Sequence, residues 1–185
     1  MQELQDLLRL DSSPRTRKVR DGQRSKVYAA EREAFKALPN VPRTEDVWNA
    51  YVKLLANSKT AHKHFGRGRQ LRLKFKGRTW SYCVGSNIRL GLGHRGNEWV
   101  VIHEAAHSLT RGDVAPHGRE FCETYLDLVN EFLGKTWGDK LKASFKAHGV
   151  KFRAKRQLSP ERLAQLRQQG KTLAFLNGNR SDPLY

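Results

Sequence analysis

Residues 99–109 read Trp-Val-Val-Ile-His-Glu-Ala-Ala-His-Ser-Leu, and this run constrains the chain more than any other. It is apolar enough to lie in a core, yet it carries two histidines and a glutamate. On an α-helix, positions i and i+4 share a face, so His103 and His107 can present their imidazoles to one metal ion while Glu104 projects beside them. Small Ala105 and Ala106 allow close packing. A core helix with two solvent-facing histidines and a surface glutamate is the plainer reading, but the five-residue pattern rarely arises by chance on a helix of this character. The spacing suits zinc, which takes nitrogen ligands and in catalytic sites keeps one position open for water. Glu104 is then the candidate general base.

Two histidines on one helix leave zinc in need of a third protein ligand. A metzincin would supply it six residues after His107, at Asp113, but the glycine expected three residues before that is Thr110, and the only methionine is Met1, so no Met-turn exists. A gluzincin would take a Glu from the next helix, where Glu123 and Asp127 lie about one turn apart. The stronger candidate is His117 in Ala115-Pro116-His117-Gly118-Arg119-Glu120-Phe121, with Pro116 able to start a helix and Gly118 permitting close approach. Glu123 and then Asp113 remain the alternatives.

His103-Glu104-x-x-His107 followed by His117-Gly118-x-x-Phe121 resembles the SprT-like (Spartan-like) zinc metalloproteases. With Arg24-Ser25-Lys26-Val27-Tyr28-Ala29-Ala30-Glu31, the pattern also looks like a little-characterised metallohydrolase family of actinobacteria and their phages. The resemblance implies a zincin fold, three histidine ligands, a catalytic glutamate and, for the SprT-like branch, peptidase activity associated with DNA. This chain lacks the zinc-ribbon cysteines that would extend the match at the C-terminus.

Elsewhere the chain reads as α+β. An amphipathic N-terminal stretch passes into a mobile arm over residues 1–22, and a zincin-like domain is expected over 23–150. Val27, Tyr28, Ala30 and Phe35 predict a helix that stops by Leu38, before Pro39 and Pro42. Thr44 caps a second helix with Glu45 and Asp46 in its first turn and Val47, Trp48, Tyr51, Leu54 and Leu55 as its apolar face. Alternation from Leu71 to Leu90 predicts three short strands in a meander, with Phe75 and Trp80 in the core. In zincins the last strand borders the cleft, which makes Asn87–Leu90 the candidate partner of an extended substrate. The active-site helix from about Asn97 to Leu109 precedes another from about His117 to Phe132. An oxyanion stabiliser is not identifiable, although His94 and Arg95 are near enough in sequence to be considered.

Charge sharpens the reading. The chain has 35 Lys and Arg against 18 Asp and Glu, a formal net charge of +17. Residues 58–80 carry eight basic and no acidic groups, and 141–185 carry ten basic and two acidic, whereas 81–140 hold six basic and eight acidic. The basic segments flank the motif and suit a polyanion such as nucleic acid. Residues 151–185 form a basic C-terminal extension in which Ser159-Pro160-Glu161 marks a helix start. No stretch is apolar enough to span a membrane, the N-terminus has no apolar signal core, and Cys83 and Cys122 are too few for a disulfide framework. The expectation is therefore a cytoplasmic zinc metallohydrolase acting on a protein or peptide; the alternative is a nucleic-acid-binding protein with structural zinc.

Overall fold

A computed structural model describes residues 20–66, 69–77, 79–110 and 114–152, together with 164, 165 and 168. Two units are distinguished, Met1–Ala154 and Lys155–Tyr185. In the second, residues 164, 165 and 168 are helical. Asp113, residues 1–19 of the arm expected over 1–22, and the helix start at Ser159 lie outside the described residues.

The first unit is α+β, as expected. Helix α1 (Arg24–Ala34) buries Val27, Ala30, Glu31 and Ala34, a stripe at three- and four-residue spacing. Thr44 caps α2 (Glu45–Ala56), its hydroxyl accepting from the Val47 amide, and Glu45 and Asp46 occupy the positive first turn. Its buried face is Trp48, Val52, Leu55 and Ala56, whereas Val47 and Leu54 face solvent. The buried face is thus turned from the expected one toward Val52 and Ala56, while Trp48 stays inward with its indole donating to the Arg95 carbonyl (2.7 Å).

Two helices were not foreseen. The short α3 (Lys59–Phe65) has no apolar stripe to announce it. Ser58 Oγ accepts from the Ala61 amide, Glu131 accepts from the amides of Lys59 and Thr60, and Gly66 at φ 83° ends the helix in the left-handed region. Half of that capping comes from a distant helix. The sixth, α6 (Lys135–Ala147), hides its stripe in small residues, Gly138 and Ser144, which share the buried face with Leu141 and Phe145. A Cβ at Gly138 would come within 1.9 Å of Asn130 Oδ1, so the glycine lets α6 close on the helix that carries Asn130.

The sheet corrects the expected meander. Strands β1 (Arg72–Phe75), β2 (Tyr82–Val84) and β3 (Asn87–Leu90) lie in the order β1-β3-β2. The hairpin through Gly85 (φ 59°) pairs β2 antiparallel to β3, while β1 pairs parallel to β3 from the other side. The connection after β1 crosses to the far edge, so β3 is central. One sheet face holds Leu73, Ile88 and Leu90 in the core; Trp80 leaves it and is 62% exposed. Helix α4 (Glu98–Leu109), which carries His103 and His107, packs against β2 and β3 and against α5 (Arg119–Phe132).

Candidate metal centre

Helix α4 starts after Asn97 and is buried along almost its whole length, including the side chains of His103 and Glu104. His103 and His107 face the same way, as i and i+4 require. The third histidine arrives differently from the expected helix start. Pro116 and His117 form a turn closed by the Gly118 amide on the Ala115 carbonyl (2.8 Å), and α5 begins only at Arg119. A Cβ on Gly118 would lie 3.0 Å from that carbonyl oxygen, which explains the small residue. Gln23 fastens the turn: its Nε2 donates to the His117 carbonyl (2.6 Å), and it pairs with the Lys151 backbone in both directions at 3.0 Å.

The three rings converge through Nε2. His103 Nε2 lies 3.1 Å from His107 Nε2 and 3.4 Å from His117 Nε2, and all three rings offer a ligand atom within 4.8 Å of the others. Nitrogen ligands about 2.0–2.1 Å from a tetrahedral zinc stand roughly 3.4 Å apart, so the spacing fits that ion. Glu123, half-buried on α5, is not part of this cluster. No family model, curated protein or solved structure matches this chain.

Two carboxylates orient the rings from behind. Glu31 Oε1 meets His103 Nδ1 at 2.5 Å, and Asp21 Oδ2 meets His117 Nδ1 at 2.7 Å. Such partners fix the tautomer, direct Nε2 inward and raise its basicity. Neither carboxylate was assigned a role from sequence. The legible signal was Glu31 itself, an acidic residue in the buried stripe of α1, because a buried charge requires a partner. Aromatic rings complete the seat. Phe121 stacks on His107 with centroids 4.3 Å apart and meets His103 and His117 edge-on at 5.0 Å, while Tyr28 packs against His103 and His117.

Electrostatics sort the groups. Burial disfavours a charged ring at His103, but the charge and hydrogen bond of Glu31 outweigh it and hold that imidazole above its usual range. Burial and the neighbouring rings push His107 well down, and burial lowers His117 despite Asp21. The centre therefore favours positive charge at one ring flanked by two neutral nitrogen donors, and an ion bound there would take the place of the proton on His103 Nε2, because an imidazole ligates only as the neutral ring. Burial, opposed by His103 and reinforced by Glu31, raises Glu104 to about 7. Its carboxylate makes no hydrogen bond to any described residue and lines the cleft.

That cleft has two lobes. One, about 750 Å³, runs beside Arg20, Arg24, Cys83, His107 and Pro116; the other, about 690 Å³, runs beside Trp80, His94, Trp99 and His103. Arg24, Tyr28, Ser81, Tyr82 and Glu104 border both. His94 Nδ1 meets Ser81 Oγ at 2.8 Å, and the same oxygen accepts from the Gly91 amide. Arg95 instead lies over Phe75 and is not among the lining residues of either lobe. Cys83 sits 2.9 Å from Ser108 Oγ, and burial pushes its thiol up to about 11.

The expected substrate strand is displaced by the topology. β3 is hydrogen-bonded on both sides and offers no edge. The outer edge of β1 is closed by α2, where the Asn49 amide bonds both the amide and the carbonyl of Leu73 at 2.8 Å and Glu45 accepts from the Phe75 amide. β2, which lines the cleft, pairs with β3 alone among the described strands.

Proposed function

We propose that this chain is a zinc-dependent hydrolase of the zincin type and that the bond it cleaves is a peptide bond. The observation that carries the reading is the convergence of three imidazole Nε2 atoms beside Glu104, a carboxylate that makes no hydrogen bond to any described residue. His103, His107 and His117 would hold the ion, with Glu31 and Asp21 keeping two rings in place. When bound, zinc supplies Lewis acidity, polarising a carbonyl oxygen and making water a stronger acid. Glu104 takes the proton of the attacking water and passes it to the leaving amine. A carboxyl raised to about 7 both accepts and releases a proton near neutrality.

A peptide is favoured because β2, which lines the cleft, pairs with β3 alone among the described strands, and an extended backbone adds to an outer strand of this kind. The order of His-Glu-x-x-His and His-Gly-x-x-Phe, which resembles the SprT-like metalloproteases, supports the same reading. Structural zinc in a nucleic-acid-binding protein is the competing assignment. It calls for a closed four-ligand site, and three histidines with an unengaged Glu104 suit an open one better.

The basic segments support a polyanionic partner in addition to the substrate. Register places Arg72 and Lys74 on the outer face of the sheet with Arg89, and the three strands carry no acidic residue. Contacts of this kind are nonspecific and weaken steeply with salt.

The test is zinc content and casein cleavage by the full chain, with and without single- and double-stranded DNA. Glu104→Gln should keep stoichiometric zinc and lose at least about a hundredfold of the cleavage rate. His103→Ala combined with His107→Ala should lose the zinc. Unchanged cleavage in the Glu104 variant rejects the mechanism, and full zinc retention in the double variant rejects the site.

A further inference from the structure

Attack on an amide drives negative charge onto the former carbonyl oxygen as well as releasing a proton to Glu104. A hydrogen-bond donor aimed at that oxygen matters greatly, and losing one typically costs about 10²–10³-fold in rate. Among the described residues, Arg24, Tyr28, Ser81 and Tyr82 are the donor-bearing side chains that border both lobes with Glu104. Two of them are held elsewhere. Ser81 Oγ meets His94 Nδ1 at 2.8 Å and accepts from the Gly91 amide, and the Tyr82 hydroxyl accepts from Lys76 Nζ at 2.9 Å. Tyr28 instead rests on the centre itself, its ring centroid 5.7 Å from that of His103 and 5.1 Å from that of His117.

The helix that carries Tyr28 fixes its seat. Arg24, Tyr28 and Glu31 follow at i, i+4 and i+7 on one face of α1, and Asp21 lies just ahead of the helix. Asp21 meets Nδ1 of His117 and Glu31 meets Nδ1 of His103, so Tyr28 stands in sequence between the two carboxylates that orient the rings it packs against. A ring clamped in this way presents its hydroxyl without reorganisation, which is what makes a donor effective. Arg24 adds direction. Its guanidinium carbon lies 5.4 Å from the centre of the Tyr28 ring, and it acts on the hydroxyl through a hydrogen bond and through charge, while Asp21 offsets part of that charge. A guanidinium only donates, so the phenolic oxygen accepts and keeps its own proton for another acceptor.

We propose that Tyr28 is a catalytic residue whose hydroxyl donates to the carbonyl oxygen of the bond being cut, and that Arg24 is the positioning residue that aims and polarises that hydroxyl. This rests on the hydrolase reading and adds to it the group that meets the developing charge. As water attacks, a C–O bond forms, the carbonyl π pair moves onto the oxygen and the water's proton goes to Glu104. Tyr28 donates a hydrogen bond to that oxygen, strongest while the charge is there, and keeps its proton throughout. The pair then returns, the C–N bond breaks, and the leaving nitrogen takes the proton from Glu104. Arg24 is exposed, so it acts through Tyr28 rather than in its place.

The experiment compares the full-length, zinc-loaded protein with Tyr28→Phe, Arg24→Gln and the double variant. It measures zinc affinity, casein cleavage, and calorimetric binding of N-phosphoryl-Leu-Phe, whose tetrahedral phosphoryl oxygens stand in for those of the intermediate. Tyr28→Phe keeps the ring and removes only the hydroxyl. It should bind zinc as the unmodified protein does, lower kcat about a hundredfold with little change in KM, and bind the phosphoryl dipeptide about tenfold more weakly. Arg24→Gln should lower kcat about fivefold on its own and not at all in the Tyr28→Phe background, a coupling that loss of packing would not produce. Zinc affinity that falls with kcat in Tyr28→Phe would make the hydroxyl a ligand or a brace for one. Unchanged dipeptide binding would place it away from the tetrahedral oxygens, and equal losses from Arg24→Gln in both backgrounds would detach Arg24 from Tyr28; each of these results overturns the proposal. Casein cut by Tyr28→Phe at the unmodified rate overturns it too and leaves the hydrolase reading intact, whereas casein left whole by the unmodified protein overturns the hydrolase reading and this assignment with it.

Discussion

Glu31 Oε1 on α1 lies 2.5 Å from His103 Nδ1 on α4, and both side chains are almost completely buried. A carboxylate in such a place has been taken out of water at a cost of several kcal/mol, which a single imidazole hydrogen bond does not fully offset. A cation held at the other ring nitrogen would complete the compensation. Glu31→Gln keeps the shape and can still accept from Nδ1, but it removes the charge. The expected outcome is zinc affinity about 10–100-fold weaker in a chelator competition. Glu33→Gln, two residues along on the same helix, should bind zinc as the unmodified chain does; equal affinities in all three proteins would mean that Glu31 does not support the metal.

Asn49 does for β1 what a neighbouring strand would do. Its side-chain amide both donates to and accepts from the Leu73 backbone, so Asn49→Ala leaves an amide and a carbonyl without partners at the edge of the sheet. Each such group costs about 1–3 kcal/mol when it stays shielded from water. The variant should lose about 2 kcal/mol or more by urea denaturation, and the opened edge should promote association at high protein concentration. A midpoint and a sedimentation profile unchanged from the unmodified protein would show that water replaces the side chain at no cost.

Some of this architecture was legible and some was not, for identifiable reasons. The helix with His103 and His107 was readable because its spacing is local, and α2 announced itself through Thr44. His117 was readable as a residue type in a turn-rich segment, but its anchorage was not, since Gln23 holds it from 94 positions away. The strands were readable and their order was not: alternation reports which residues face the core and is silent about which edge a connection crosses to. Trp80 was misplaced for the same reason, because continuing the alternation past Gly77 assumed a hairpin where the chain crosses over. Helix α3 depends on Glu131 for its first amides, a contact no local pattern contains.

Asp127 joins α5 to α3 by accepting from Lys63 (2.6 Å) and meeting His64 Nε2 at 2.8 Å. Burial alone would raise its carboxyl, but the hydrogen bonds from His64 and Lys63 outweigh that and hold it below the usual 3.8. A group whose folded pKa lies below its unfolded value contributes stability that is present above the unfolded value and disappears as pH falls through the folded one. The stability difference between the unmodified protein and Asp127→Asn should therefore be constant from about pH 6 to pH 5 and shrink as pH drops below about 4. Chemical denaturation across that range measures it. A difference that grows on acidification would reverse the assigned sign.

Phe121 connects the core to the site more directly than any other apolar residue, stacking on His107 and touching both other rings while remaining wholly buried. Truncation to alanine removes that packing and leaves a cavity, at a cost of about 3–5 kcal/mol. Leu141 on α6 is equally buried and lies in the core cluster, and Leu141→Ala should cost about 2–5 kcal/mol. The two variants separate stability from seating. Both should unfold at lower denaturant, but Phe121→Ala should also weaken zinc binding to the folded protein, because His107 loses the surface that fixes its ring plane, whereas Leu141→Ala should bind zinc as before. Phe121→Leu, which refills most of the volume, should recover most of the stability while leaving His107 less firmly held. Measured in non-denaturing buffer, where each variant is folded, equal zinc affinities for Phe121→Ala and Leu141→Ala would show that the ring packs the core without orienting the ligand.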